Sequence, residues 1–231
     1  METTITLCCL SESSNESSLN FAIALLKSQG NLLQMQKAKI RISFHNDLNH
    51  AMNEFYQTGD SVLMVVQTML GFDPDLLPET IASDKTFLTG IYPMLGIDWE
   101  RIKTKTKAGS KEQTGHMGLD YNIDLSKDMV KMVDDRFALL KNVRDLKFFR
   151  IHRSVLDDII ERHGNTIKCT KDGKPHYRFL YSEIVDGELL SPEVNFCRLW
   201  GKEIYADTKH KISNFGNFEF AGTCGARSVL R

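Results

Sequence analysis

A continuous apolar run at residues 61–66, S-V-L-M-V-V, restricts the fold of this chain more than any other feature. It follows the turn 58–60 and is typical of a β-strand that is covered on both faces. Two earlier segments, 3–10 and 39–44, also have strand character. Apolar residues at helical spacing lie between these three segments, first before Gly30 and then at 46–56.

This β-α-β-α-β alternation predicts an α/β fold with a mixed, mostly parallel sheet and flanking helices, in a single domain. Ligands of such sheets bind at the carboxyl ends of the strands. Functional residues are therefore expected at 11–14, at 43–46 and just after Val66.

Local signals predict the elements downstream of the run. Asp73 should cap a helix whose first position is Pro74. Residues 101–111 hold five cations and no acid, lack apolar periodicity and are expected to form a mobile loop. That loop is either a solvated surface segment or a lid whose lysines close over a phosphate. The other predicted elements are a helix at 128–140, a strand at 146–151, a helix at 154–162 that ends at His163-Gly164, and a helix at 193–200.

Composition narrows the class of partner. The chain has 29 Lys and Arg against 30 Asp and Glu, so it lacks the overall positive field of a non-specific nucleic-acid binder. Five cysteines without zinc-site or disulfide-framework spacing fit a reducing compartment. Because no signal sequence or stretch of about 20 apolar residues is seen, we expect a cytoplasmic protein with no membrane partner.

Two stretches of the sequence are more specific. Residues 59–99 include G-F-D-P-D at 71–75 and D-K-T-F-L-T-G-I-Y-P at 84–93, and residues 187–222 include F-C-R-L-W and A-D-T. With these motifs the chain resembles a family of small GT-A-fold, family 2-like glycosyltransferases of the type encoded by bacteriophages and large viruses. The resemblance covers most of the chain outside 100–145.

The resemblance implies a GT-A-like, Rossmann-like fold. Residues 1–99 would form the nucleotide-binding half, 100–145 a variable insert with the basic loop, and 146–231 the acceptor-side half. The implied activity is transfer of a sugar from a nucleoside-diphosphate sugar to a hydroxyl acceptor, in host cytoplasm if the protein is viral. The implied nucleotide contacts are Ser11, Ser13, His45 and Asn46.

The sequence departs from the family at the residues that do chemistry. Two aspartates and a histidine that hold a divalent cation in the family correspond here to Gln67, Met69 and Asn214. Amides and a thioether are poor ligands for a hard cation. We therefore expect no divalent metal and no other cofactor. In an active enzyme the cation's role would pass to side chains that also bind the diphosphate, namely Lys103, Lys105, Lys107 and Arg198.

Glu193 is the one carboxylate left where the family places its general base. It is the candidate catalytic residue, although Ser191-Pro192-Glu193 is also an ordinary helix start. Two hypotheses follow: a metal-independent glycosyltransferase, or a catalytically inactive GT-A pseudoenzyme that acts as a binding or interaction protein. His45 and His50 lack the spacing of a ligand pair on one helix, so each is expected to be a surface or capping residue. The donor sugar, acceptor and oligomeric state stay open.

Overall fold

The computed structural model describes residues 3–11, 19–34, 38–110, 117–171, 173–215 and 219–222, which form a mixed α/β fold. The described helices are α1 (Leu19–Gln34), α2 (Leu48–Thr58), α3 (Leu76–Ile81), α4 (Trp99–Lys107), α5 (Arg153–Ile167) and α6 (Pro192–Trp200). The described strands are β1 (Thr3–Leu10), β2 (Ala38–His45), β3 (Val62–Gln67), β4 (Leu70–Phe72), β5 (Phe87–Gly90), β6 (Pro93–Ile97), β7 (Leu119–Tyr121), β8 (Met129–Met132), β9 (Phe137–Leu140), β10 (Phe148–His152), β11 (Lys168–Lys171), β12 (Lys174–Tyr177), β13 (Glu183–Val185), β14 (Glu188–Leu190), β15 (Ile204–Asp207), β16 (Ile212–Phe215) and β17 (Glu219–Gly222).

One eight-stranded sheet, in the order β2-β1-β3-β10-β5-β15-β9-β8, forms the centre of the fold. The neighbouring pairs β1/β2, β1/β3 and β5/β15 are parallel, and the other four are antiparallel. The predicted mixed sheet is confirmed. The expectation of a mostly parallel sheet is wrong: parallel pairing is confined to β2-β1-β3 and the β5/β15 pair, because β10 inserts in the opposite direction and a β8-β9 hairpin forms the far edge.

The first 70 residues follow the predicted alternation of strands and helices. All six residues of β3 are buried, as the apolar run predicts, and the strand lies between β1 and β10 inside the sheet. Side chains of β1 point alternately to the two faces: Cys8 and Leu10 pack with α2, whereas Leu7 and Cys9 join the other core cluster. Helices on both faces therefore bury the centre of this sheet.

The predicted mobile loop at 101–111 is wrong over residues 101–107, which belong to α4. Asp98 caps the helix by accepting a hydrogen bond of 2.8 Å from the Arg101 backbone N–H. Lys103 pairs with Glu100 at 2.5 Å, and Lys105 and Lys107 lie in the last turn, where cations complement the helix dipole. The helix buries no residue, so its sequence has no apolar periodicity that would reveal it.

The predicted helix at 128–140 is also wrong, because these residues form the β8-β9 hairpin. Asp134 makes the turn: its carboxylate accepts from the backbone N–H groups of Arg136 at 2.8 Å and Phe137 at 2.7 Å. Those bonds, with Phe137 first, lower the pKa of Asp134. The side-chain bonds of an Asx-type turn favour a hairpin over a helix here.

Two helix boundaries differ from the prediction. Helix α3 begins at Leu76 after Asp75, while the Asp73 carboxylate accepts from the Lys211 backbone N–H at 2.8 Å. Helix α5 continues through Gly164 to Ile167, whose side chain is fully buried. The predicted strand at 146–151 and helix at 193–200 are confirmed as β10 and α6.

The described part of the chain contains neither a membrane-spanning helix nor a disulfide. None of its helices has the length and apolarity needed to cross a bilayer. Cys8, Cys9, Cys169 and Cys197 are all free thiols. Burial raises the pKa of the Cys197 thiol to about 12, which makes it a packing residue rather than a nucleophile.

Substitution of Gly90, the last residue of β5, tests how closely the sheet packs against β16. A Cβ atom at this position would lie 2.2 Å from Ile212 Cδ1 and 3.0 Å from Phe148 Cδ1. Gly90→Ala should lower the free energy of unfolding by about 1–3 kcal/mol through overpacking, measured by urea denaturation.

Ile212→Val removes the clashing methyl group and by itself should cost about 0.5–1.5 kcal/mol. The double variant should be more stable than the sum of the single effects predicts, because the two residues are in contact. Gly164→Ala, whose Cβ meets only Ile160 at an ordinary 3.5 Å, is the control and should not destabilise the protein. Strict additivity of the Gly90 and Ile212 effects would contradict this account.

Candidate functional site

The candidate site lies where the sheet changes its direction of winding. From β1 the chain crosses to β2 on one side and then to β3 on the other, so a topological switch point separates β1 and β3. Leu10 pairs with Gln67 at the carboxyl ends of these strands. The backbone N–H of Ser11 donates to the His45 carbonyl at 2.8 Å, and that of Thr68 donates to the Leu10 carbonyl at 2.9 Å. Crevices at such points are the usual ligand sites of α/β sheets.

The loop before β10 forms a second wall. The Gln67 backbone N–H donates to the Lys147 carbonyl at 2.8 Å. The hydroxyl of Tyr92, which is fully buried, donates to the Asp145 carbonyl and accepts from the Lys147 N–H, both at 2.7 Å. Burial, followed by the nearby charge of Asp145, raises the pKa of Tyr92 well above its ordinary value. Tyr92 is therefore a neutral structural link between the segment after β5 and the segment before β10.

Asn122 bonds the backbone of the segment that follows β5. Its amide donates to the Gly90 carbonyl at 3.0 Å and accepts from the Tyr92 N–H at 3.1 Å. The side chain is fully buried. The sequence analysis overlooked Asn122, and its place in D-Y-N-I-D was the only available signal.

The resemblance aligns Gln67, Met69 and Asn214 with metal ligands, and Asn214 lies beside the segment that holds the other two. Gln67 ends β3, Met69 follows two residues later, and Asn214 is fully buried and pairs with Leu70 in the β4-β16 ladder. The Asn214 amide nitrogen donates to the Pro93 carbonyl at 3.1 Å, and its Oδ1 is buried without a hydrogen-bond partner among the described residues.

These donors do not fit a divalent cation. Two neutral amides and a thioether supply no negative charge, whereas hard cations take several oxygen ligands that include carboxylates. The nearby carboxylate of Asp145 is 3.6 Å from the Lys147 ammonium, which offsets its charge. The predicted absence of a metal at this position stays a prediction, and the donor set agrees with it.

Glu193 lies in the first turn of α6, whose cap Ser191 accepts from the Val194 N–H at 3.3 Å. Its side chain is half-buried, and its charge contributes to the raised pKa of both Tyr92 and Cys197. Glu193 is therefore within electrostatic range of Tyr92 and of the wall before β10. Its predicted role as a general base stays a prediction.

The other predicted ligand contacts are more dispersed. Asn46 is exposed, and the His45 side chain packs against α2, 3.7 Å from Glu54. Ser13 lies outside the described residues. Lys103, Lys105 and Lys107 are on α4, and Lys103 pairs with Glu100. The Arg198 guanidinium is bonded to Asn195 at 3.0 Å and also to Glu183. The predicted diphosphate clamp stays a prediction.

A charge network centred on the buried Asp207 lies at the carboxyl end of β15. Asp207 accepts from Arg136 Nε at 2.7 Å and from His210 Nδ1 at 3.0 Å. Glu79 bonds the same Arg136 at 2.6 Å and approaches His210 Nε2 at 3.6 Å. In the sequence, Asp207 is the aspartate of the motif A-D-T, which gives no sign of these partners. This network ties α3 to the end of β15 and to the β8-β9 turn.

Neither a scan of protein-family models nor a search of curated proteins gives a match for this chain.

Asp207→Asn tests the charge network. Burial alone would raise the pKa of Asp207, but bonds from the His210 backbone and the Arg136 guanidinium hold it below its ordinary value. The stability that this carboxylate contributes is therefore present above its ordinary pKa of about 3.9 and is lost as the pH falls through the lower folded value. At pH 7 the substitution should cost about 1–3 kcal/mol, because the bonds of the buried Asp207 side chain to Arg136 and His210 lose their negative partner, while Glu79 still pairs with Arg136.

Urea denaturation between pH 7 and pH 3 measures this effect. The difference between the wild type and Asp207→Asn should narrow below pH 4. Asp186→Asn changes an exposed aspartate at φ 53°, a conformation that asparagine also adopts, and should shift stability by no more than about 0.5 kcal/mol. A pH-independent loss in Asp207→Asn would contradict the role of its charge.

Proposed function

We propose that this chain is a GT-A-like glycosyltransferase that moves a sugar from a nucleoside-diphosphate donor to a hydroxyl acceptor without a bound divalent ion. One observation carries the proposal: Asn214, which lies far along the chain, pairs with Leu70 and is thereby brought beside the Gln67–Met69 segment next to the switch point. The resemblance requires this convergence, because the three corresponding positions share one ligand in the family.

The proposed donor lies across the carboxyl ends of β1 and β3. Ser11 follows β1, and the amide of Gln67 ends β3, so both are positioned to contact the nucleotide and its phosphates. Backbone bonds to His45 and Lys147 fix these two residues in place. Such preorganised polar groups bind phosphates at little conformational cost.

The proposed reaction uses Glu193 as the general base. The carboxylate takes the proton of the acceptor hydroxyl while the hydroxyl oxygen attacks the anomeric carbon of the donor sugar. The bond between that carbon and the diphosphate oxygen breaks, and the diphosphate leaves with its electron pair. Arg198 and the α4 lysines would have to move toward the cleft to stabilise the leaving group, since Arg198 now bonds Glu183.

A pseudoenzyme is the second candidate, and the neutral ligand set favours it. The family's metal position holds no carboxylate, and Arg198 is occupied by Asn195 and Glu183. A protein of this kind would bind a nucleotide, a sugar or a protein partner without turnover. Donor binding without transfer would identify this candidate, and absence of nucleotide binding would overturn the transferase.

Nucleotide binding measured with and without Mn²⁺ tests whether the site works without a divalent ion. Calorimetry with UDP and GDP should give affinities that Mn²⁺ changes by less than tenfold, or about 1.4 kcal/mol. The variant Gln67→Asp/Met69→Asp/Asn214→His restores the family's ligands and should acquire Mn²⁺-dependent affinity, because carboxylates and an imidazole then meet at one point. Circular dichroism checks that the variant is folded. A Mn²⁺-dependent gain of tenfold or more in the wild type would contradict the proposal.

Glu193→Gln tests the base. With an active donor and acceptor pair, turnover should fall by about 10²–10⁴-fold, while donor affinity changes little because the amide keeps the shape of the side chain. Glu188→Gln, an exposed carboxylate on β14, is the matched control and should retain full turnover. Full activity in Glu193→Gln would remove the only catalytic carboxylate that the resemblance supplies.

A further inference from the structure

A group of three metal-ligating side chains lies outside the cleft, between the end of β2 and α2. His45 is the last residue of β2, and His50 and Glu54 lie on α2. One ligand atom from each residue lies within 4.8 Å of the others. His45 Nε2 is 3.7 Å from Glu54 Oε2, and the two imidazole rings meet edge to face at 5.7 Å.

The local fold explains why these residues meet. Asp47 caps α2 in an extended conformation and accepts from the His50 backbone N–H at 2.5 Å, so the chain turns from strand to helix within two residues of His45. His50 and Glu54 are four residues apart and therefore share a helix face. Sequence spacing alone misses this group, because the five-residue interval between His45 and His50 spans the strand-to-helix turn.

The helix that carries two of the three side chains is firmly held. Asn53 is buried and bonds the Tyr177 backbone in both directions, at 2.7 and 2.8 Å. Asn49 accepts from the Leu180 N–H at 3.2 Å. Ala51 and Phe55 are packed in the core beneath the helix. These contacts fix the rotation of α2, so the face with His50 and Glu54 stays toward β2.

The donor set selects the metal. Two imidazoles and one carboxylate suit Zn²⁺ and similar first-row cations better than Mg²⁺ or Ca²⁺, which prefer oxygen ligands alone. Tetrahedral zinc with bonds near 2.0–2.1 Å places its ligand atoms roughly 3.3 Å apart. The His45–Glu54 distance of 3.7 Å is already close to this value. His50 and Glu54 are exposed, so side-chain rotation can close the remaining gap.

The surroundings tolerate a cation. Arg41 lines the same groove, but its guanidinium is 3.7 Å from the Asp60 carboxylate, which offsets its charge. Ser43 also lines the groove, and its Oγ is buried without a hydrogen-bond partner among the described residues. That hydroxyl is available to hold a metal-bound water in the open fourth position.

We propose that His45, His50 and Glu54 bind Zn²⁺, with water as the fourth ligand. This site is separate from the proposed sugar-transfer chemistry and does not depend on it. Zinc would clamp the end of β2 to α2. Because the His45 carbonyl accepts from the Ser11 N–H, the same ion would also stiffen the backbone beside the switch point.

Calorimetric titration of the tag-free protein with Zn²⁺ alone tests the site. The wild type should bind one equivalent, and His50→Gln and Glu54→Gln should each weaken the affinity at least tenfold, or about 1.4 kcal/mol. His163→Gln, a histidine on α5, is the matched control and should bind as the wild type does. Both ligand variants change exposed side chains, so they should fold normally; unfolding curves without metal verify this.

Cobalt substitution identifies the ligands. Co²⁺ in the wild type should give the visible absorption of a tetrahedral site with nitrogen and oxygen ligands, and Glu54→Gln should lose it. A thiolate-to-cobalt band would assign the ion to a cysteine and overturn the proposal. Equal affinity in the wild type and in the double variant His50→Gln/Glu54→Gln would overturn it as well.

Discussion

Pairing of β10 with β3 on one side and β5 on the other is the interaction on which the rest of the fold depends. Without it, β2-β1-β3 and β5-β15-β9-β8 would be two separate sheets. Phe148 and Phe149 are fully buried and face opposite core clusters, so this one strand supplies aromatic packing to both layers. The loop before β10 also forms a wall of the cleft, which links the position of the candidate site to the integrity of the sheet.

Segments whose burial leaves a periodic trace could be predicted from the sequence. The apolar run predicted β3 correctly because both faces of that strand are buried. The alternation before it predicted the earlier strands and helices, which pack against the core. Helix α4 left no such trace, since all its side chains remain at least partly exposed. The β8-β9 hairpin depends on the bonds of Asp134 to two backbone N–H groups, which resemble the capping signals of a helix in sequence.

The candidate site also has parts that the sequence predicts and parts that it does not. The carboxyl ends of β1 and β3 were predicted from topology to be neighbours, and Leu10 and Gln67 do pair there. The contacts of Tyr92 and Asn122, and the group of His45, His50 and Glu54, are tertiary arrangements of residues that are ordinary in sequence. Which side chains converge depends on where turns such as Asn46-Asp47 redirect the chain, and a linear spacing rule cannot express that.

The late arrival of β10 has a consequence for synthesis on the ribosome. Strands β1, β2 and β3 are consecutive strands of the chain, but β3, in which five of the six residues are apolar, lacks its partner β10 until residue 152 has been made. At about 5–20 residues per second, the 85 residues after β3 take roughly 4–17 s to emerge. During that interval the nascent chain displays the kind of flat strand edge that recruits other strands. Its cellular yield should therefore depend on chaperone capacity more than the stability of the finished fold would suggest.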